Sequence, residues 1–290
     1  MKNSDYLIAG NDEHGLAPLA TPGKRTPYIE NIGRSFYENE FNKEAKRYFL
    51  EACKRQGFNI LDVKPSNYDV NLSTRAQIVN NKRPNLIVTF AYNGYGDGTK
   101  FNSVNGFEII YSTLSKERDK SKALANNILS YMKEGTNQRN RGIITGNYYM
   151  LYAVSCPSVI VESGFMTNLI EAKRMMDPDY QKEVGEECCK GVCKYLGVTY
   201  KKGANRTYPT IKKGSKGDIV NYLQYKLFSR LYNPGTIDGI FGNNTVKAVK
   251  EFQKDNNLDV DGIVGNKTWA KLKSIINSWY SLFDKIRLKL

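Results

Sequence analysis

The chain has 290 residues, 40% of them hydrophobic and 25% charged, which is a globular composition with room for two domains. No run of about 18 apolar residues occurs, so no membrane span is expected, and the opening MKNSDYLIAGNDEHG lacks the apolar core of a secretory signal, so the chain is expected to be made in the cytoplasm. Net charge is +14, with 17 Lys/Arg against 7 Asp/Glu in residues 201–290 alone; this asymmetry points to a polyanionic partner, for which nucleic acid and an anionic cell wall both qualify, and no recognisable nucleic-acid motif accompanies it.

In chain order, residues 6–9 (YLIA) read as a short strand, followed by a polar loop to about residue 36. NEFNKEAKRYFLEACKRQG (39–57) carries Phe41, Ala45, Phe49 and Ala52 at helical spacing, and Gly57 stops it. FNILDV (58–63) reads as a strand and LSTRAQIVNN (72–81) as a helix starting at Ser73 or Thr74. NLIVTF (85–90) is a buried strand that opens into Ala91-Tyr92-Asn93 and a glycine-rich loop. GFEIIYS (106–112) alternates like a strand, ERDKSKALANNILSYMKEG (117–135) like an amphipathic helix. CPSVIVESGF (156–165) is a strand with a carboxylate near its end, and DYQKEVGEECCKGVCKYLG (179–197) is a closing helix. Alternating strands and helices predict an α/β domain, a mostly parallel sheet flanked by helices. The five cysteines (Cys53, Cys156, Cys188, Cys189, Cys193) are odd in number and form no CxxC pair; reduced structural thiols fit that pattern.

VTYKKGANRTYP (198–209) has linker composition. Beyond it, IDGIFGNNTVKAV (237–249) and VDGIVGNKTWAKL (260–272) share D-G-I-x-G-N-x-T at an offset of 23 residues. Each copy reads as a tight Asp-Gly turn leading into a helix. The predicted organisation is a domain over 1–197, a linker over 198–207, a small all-α domain over 208–275 with Leu223, Phe252 and Trp269 in its core, and an amphipathic helix over 276–290.

In an α/β domain the chemistry gathers past the carboxyl ends of the strands. There the sequence places Asn11, Asp12, Glu13 and the single histidine, His14, after the first strand. Ala91, Tyr92 and Asn93 follow the third, and Glu162 ends VIVE; Glu38 and Glu40 open the first long helix. Histidine with carboxylates can hold a metal, and a carboxylate partly desolvated at a strand end suits proton transfer. The same residues also read as a surface histidine and as acids favoured by the helix dipole.

Residues 1–196 resemble a zinc-dependent N-acetylmuramoyl-L-alanine amidase catalytic domain of the phage endolysin and autolysin type. The resemblance rests on TPGKRTP (21–27), GRSFYENEFN (33–42), NGFEIIY (105–111), NRG (140–142) and VIVESGFMTN (159–168). Residues 208–274 resemble a peptidoglycan-binding domain, through GSKGDIVNYLQ (214–224), DGIFGNNTVKAVKEFQ (238–253) and DGIVGNKTWAKL (261–272). The family holds zinc with two histidines and a glutamate and uses a second glutamate as base. It cuts the bond between the muramic acid lactyl group and L-Ala, so peptidoglycan is the implied partner, reached at the wall after release, as in phage lysis.

Carried over, the ligand glutamate falls on Glu38, with the adjacent Glu40 as the alternative, and the base on Glu162. Substrate contacts fall on Asn93 and Arg141, while those in residues 208–275 are not assigned. The second histidine belongs in Thr89-Phe90-Ala91-Tyr92-Asn93-Gly94, where Ala91 stands in its place. Two registers are open for the first histidine: His14, or Asn11 if the ligand directly follows a strand ending at Ala9-Gly10. With Ala91 a methyl group, the resemblance implies an impaired zinc site, or an amidase fold that binds peptidoglycan without cutting it. Asp12, Glu13 and Tyr92 are the nearby groups that could compensate.

Overall fold

The computed structural model describes residues 2–15, 24–30, 32–136, 138–204 and 206–273; the helix expected over 276–290 lies outside them. The chain divides into two compact units, Met1–Ala204 and Asn205–Leu290.

In the first unit, strands β1 (Leu7–Asp12), β2 (Asn59–Asp62), β3 (Leu86–Asn93), β4 (Phe107–Tyr111), β5 (Asn140–Thr145) and β6 (Ser158–Phe165) form one sheet in the order β2-β1-β3-β6-β4-β5. Neighbouring strands are parallel except β4 and β6, which are antiparallel. Helices α1 (Glu38–Arg55), α2 (Leu72–Lys82), α3 (Arg118–Gly135), α4 (Tyr149–Tyr152), α5 (Leu169–Met175) and α6 (Pro178–Leu196) complete the unit. This is the mixed α/β layout read from the sequence. β3 and β6 lie centrally and are buried almost end to end, which is why both read as unbroken apolar runs. β5, an edge strand with exposed ends, carries no such pattern, so its sequence does not announce it. Helix α2 begins at Leu72 after Asn71, one residue ahead of Ser73 and two ahead of Thr74.

Two strands run further than expected, and this decides the site. β1 continues through Asn11 and Asp12, paired to Thr89 and Phe90. β3 continues through Ala91, Tyr92 and Asn93. The polar residues can sit in a buried strand because ion pairs and hydrogen bonds offset their burial there. Asp12 meets Lys46 Nζ at 2.6 Å and Lys64 Nζ at 2.7 Å, and the Asn11 amide donates to Thr89 Oγ1 and accepts from Arg75.

On one side of the sheet α6 packs against α1 and α3 at distances only glycine allows. A Cβ on Gly185 would lie 2.7 Å from Phe49 N, and one on Gly191 2.5 Å from Ile128 Cα. The other side carries α2 and α4 over Ala9, Val63, Ala76, Val79, Ile87 and Met150. All five cysteines are free and buried.

The second unit holds α7 (Asp218–Phe228), α8 (Asn243–Asp255) and α9 (Asn266–Lys273). Leu223, Phe252 and Trp269 are buried in its core, as the sequence suggested. Its repeat has a polar counterpart that the sequence did not show. Gln224 Nε2 donates to Asp238 Oδ1 and Ile240 O, and its Oε1 accepts from Gly239 N. Gln253 makes the same three bonds with Asp261, Ile263 and Gly262. Gly239 and Gly262 take φ of +72° and +76°, so each Asp-Gly turn needs its glycine. Among the described residues no helix is long and apolar enough to cross a membrane.

Candidate active site

Past Asp12 the chain leaves the sheet in three residues, each fixed differently. Glu13 N–H still donates to Phe90 O at 3.0 Å, extending the ladder by one step. His14 takes φ of +59°, a conformation uncommon for a side chain larger than glycine. Gly15 passes so close to the 68–69 segment that a Cβ there would lie 2.2 Å from Asp69 N. Arg75 holds the turn from behind, donating to Asp12 O at 2.7 Å and to Asp69 Oδ1 at 2.6 Å.

This turn faces Glu38, the first residue of α1. Glu38 Oε1 accepts from Tyr92 N at 3.0 Å and Asn42 Nδ2 at 2.8 Å. Its Oε2 lies 3.4 Å from His14 Nε2, and Glu13 Oε2 lies 3.8 Å from the same nitrogen. One donor atom each from Glu13, His14 and Glu38 falls within 4.8 Å of the others.

Beside this cluster runs a row across the sheet. Ala91 is paired with Glu162 on β6, and Glu162 with Glu108 on β4. Glu13 stands one step beyond the Asp12–Phe90 pair, level with Ala91, and strand pleating gives it the same face. Carboxyls of Glu13 and Glu162 thus flank the Ala91 methyl, which packs on Ile110, Leu151 and Ile160. Glu162 is 9% exposed and its Oε2 is buried with no hydrogen-bond partner. Glu108 is occupied: it accepts from Asn93 Nδ2 at 3.1 Å and Arg141 Nε at 2.8 Å.

Burial and mutual repulsion dominate the electrostatics. Desolvation lifts Glu13 to about 7 against the pull of Arg75 and Lys24. Desolvation and the Glu13 charge lift Glu38 to about 8. Glu162 is pushed well above the carboxylate range by desolvation, then by Glu13, Glu38 and Glu108. His14 is lowered to about 4 by desolvation and Lys24, so its imidazole is neutral, the form that coordinates a metal.

The structure therefore brings His14, Glu38, Glu162, Ala91, Asn93 and Arg141 into one region. Asn11 is not part of the cluster: its ground for the ligand place was a strand ending at Ala9-Gly10, whereas β1 ends at Asp12, and its amide is committed to Thr89 and Arg75. Glu40 is committed to Arg34, through bonds of 2.8 and 2.9 Å, and to Tyr37 N. Asp12 is held by two lysines. Tyr92 turns its ring to the far side of the sheet, onto Phe41, and donates its hydroxyl to Glu171 O; only its backbone N–H serves the site. Sequence reasoning missed Glu108 and the Tyr92 amide, since both depend on which strands are neighbours.

The model of the N-acetylmuramoyl-L-alanine amidase domain matches residues 20–194, more than half of the chain. The chain belongs to this amidase family. A peptidoglycan binding domain model matches residues 216–272 of the same chain, which indicates peptidoglycan as its partner. Among relatives, the uncharacterized protein YqiI of Bacillus subtilis is 23% identical over 193 residues, 62% of this chain and 91% of that protein. The N-acetylmuramoyl-L-alanine amidase LytC of the same organism is 26% identical over 165 residues, 57% of this chain but 32% of LytC. Among solved structures, the catalytic domain of CwlV, an N-acetylmuramoyl-L-alanine amidase from Bacillus (Paenibacillus) polymyxa var. colistinus, superposes with a TM-score of 0.57 at 25% identity. That match covers 67% of this chain and 99% of that domain.

Proposed function

We propose that the chain hydrolyses the lactyl–L-Ala amide of peptidoglycan at the bacterial wall, with Glu162 as general base and a divalent cation, zinc by family, at the His14–Glu38 end of the site. Wall delivery at lysis, in the manner of phage endolysins, is part of this reading. The observation that carries it is Glu162: a buried carboxyl with one oxygen unpartnered, in a row of acids beside a neutral imidazole. Such a set fits a cation, because three crowded carboxyls are otherwise driven to hold protons. A bound divalent metal in such a site polarises a carbonyl and acidifies water. Glu162 then has the task of taking a proton from the attacking water and returning it to the departing amine. Glu108 fixes Asn93 and Arg141 at the edge of the same row, where they can hold the stem peptide. Tyr92 and Asn42 orient Glu38 from behind.

A second reading is favoured by Ala91. With a methyl group where the family carries its second histidine, the metal is held less tightly and turnover is low, or the protein binds walls without cutting them. The deciding experiment incubates the chain and Glu162→Gln with purified walls and zinc, following both sedimentation and release of free amino groups. Release by the native chain alone supports the amidase; sedimentation of both without release leaves the binding protein.

A further inference from the structure

We infer that Glu13 supplies a third metal donor in place of the absent second histidine, giving a Glu/His/Glu site formed by Glu13, His14 and Glu38. The inference rests on the amidase reading of this site and names a ligand that the family pattern does not contain.

Three observations carry it. The donor atoms of these residues already lie within 4.8 Å of one another. Glu13 occupies the strand position level with Ala91, one step past the Asp12–Phe90 pair, so its carboxylate issues from the adjacent strand beside the place an imidazole on residue 91 would start from. Glu162, whose own oxygen is buried and unpartnered, lies on the other side of Ala91 and remains available as base. The alternatives nearby are engaged: Asp12 by Lys46 and Lys64, Glu40 by Arg34, Glu108 by Arg141. Replacing an imidazole by a carboxylate also hardens the donor set. It lowers the net charge of a loaded site by one, so the preference for zinc over manganese narrows relative to a two-histidine site.

The test is metal binding by the full chain, independent of turnover. Zinc and manganese affinities are measured by calorimetry, and the cobalt(II) visible spectrum is recorded, for the native chain, Glu13→Gln, His14→Ala and Glu108→Gln. Thermal melts establish that each variant is folded. The expected result is one zinc per chain, loss of about tenfold or more in affinity for Glu13→Gln and for His14→Ala, a changed cobalt spectrum in both, and a change within about threefold for Glu108→Gln, which removes a nearby charge but no donor. Native-like zinc affinity in folded Glu13→Gln, an equal loss in Glu108→Gln, or no zinc binding by the folded native chain each overturns the inference. Amine release and wall sedimentation are followed in parallel. Release that persists without the Glu13 dependence removes only the ligand assignment. The Glu13 dependence without any release removes only the amidase reading.

Discussion

At the scale of single residues, the site is a set of carboxyls held in the wrong charge state for solution. Glu13 and Glu38 keep their protons to about 7 and about 8, whereas an unfolded chain loses them near 4.5. Between pH 6.5 and 8 the folded protein therefore binds more protons than the unfolded one, and stability falls as pH rises. His14, lowered to about 4, is neutral in both states over most of that window and adds little to the slope. Melting temperature measured in chelator should drop from pH 6.5 to 8, and added zinc should flatten the drop. Glu13→Gln should lessen the loss by about 1 kcal/mol across the window. A pH-independent melting temperature in chelator would contradict the assigned crowding. Glu162→Gln should lower amine release by roughly 10²–10⁴-fold while leaving wall sedimentation unchanged. Asn11→His adds no donor to the cluster and breaks the bonds to Thr89 and Arg75. It should lower the melting temperature with no gain in zinc affinity.

The elements show what a sequence can and cannot announce. Helix α1 and strands β3 and β6 are legible because buried apolar spacing is local. Glu38, His14 and Glu162 stand out because acids and histidine at element ends are local too. The register that sets Glu108 beside Glu162 is not, since β4 reaches β6 antiparallel and out of chain order. Nor are the ends of β1 and β3, where Asn11, Asp12 and Asn93 look like loop residues until their partners are known. The duplicated turn was legible as D-G-I, but the glutamine amides that tie it lie 14 and 8 residues away. Helix packing makes its own prediction: Gly191→Ala forces a methyl to within 2.5 Å of Ile128 Cα and should cost about 1–3 kcal/mol, read as a lower denaturant midpoint. Gln253→Ala should cost about 1–3 kcal/mol by stripping the partner from the buried Gly262 N–H, and hydrogen exchange should locate the loss at the 261–263 turn.

For the whole molecule, the two units differ in what they carry: one holds the candidate site's acids and the histidine, the other the peptidoglycan-binding module and the larger share of the net positive charge. Ionic attraction to a polyanion weakens with salt, so wall sedimentation of the full chain should fall as salt rises. A fragment ending at Ala204 should sediment less at every salt concentration, and equal sedimentation would place the anchoring surface in the first unit. The tight passage of Gly15 against Asp69, with Arg75 clamping Asp12 O and Asp69 together, has a kinetic meaning as well. It spends the ordering entropy of the 12–15 turn during folding, so under the proposed metal reading a cation would meet donors that need not be gathered. Association should then be quick and leave backbone exchange rates around residues 12–15 almost unaltered. Gly15→Ala, which touches no donor atom, should nonetheless turn that turn from a ready-made socket into one the metal has to fold for itself.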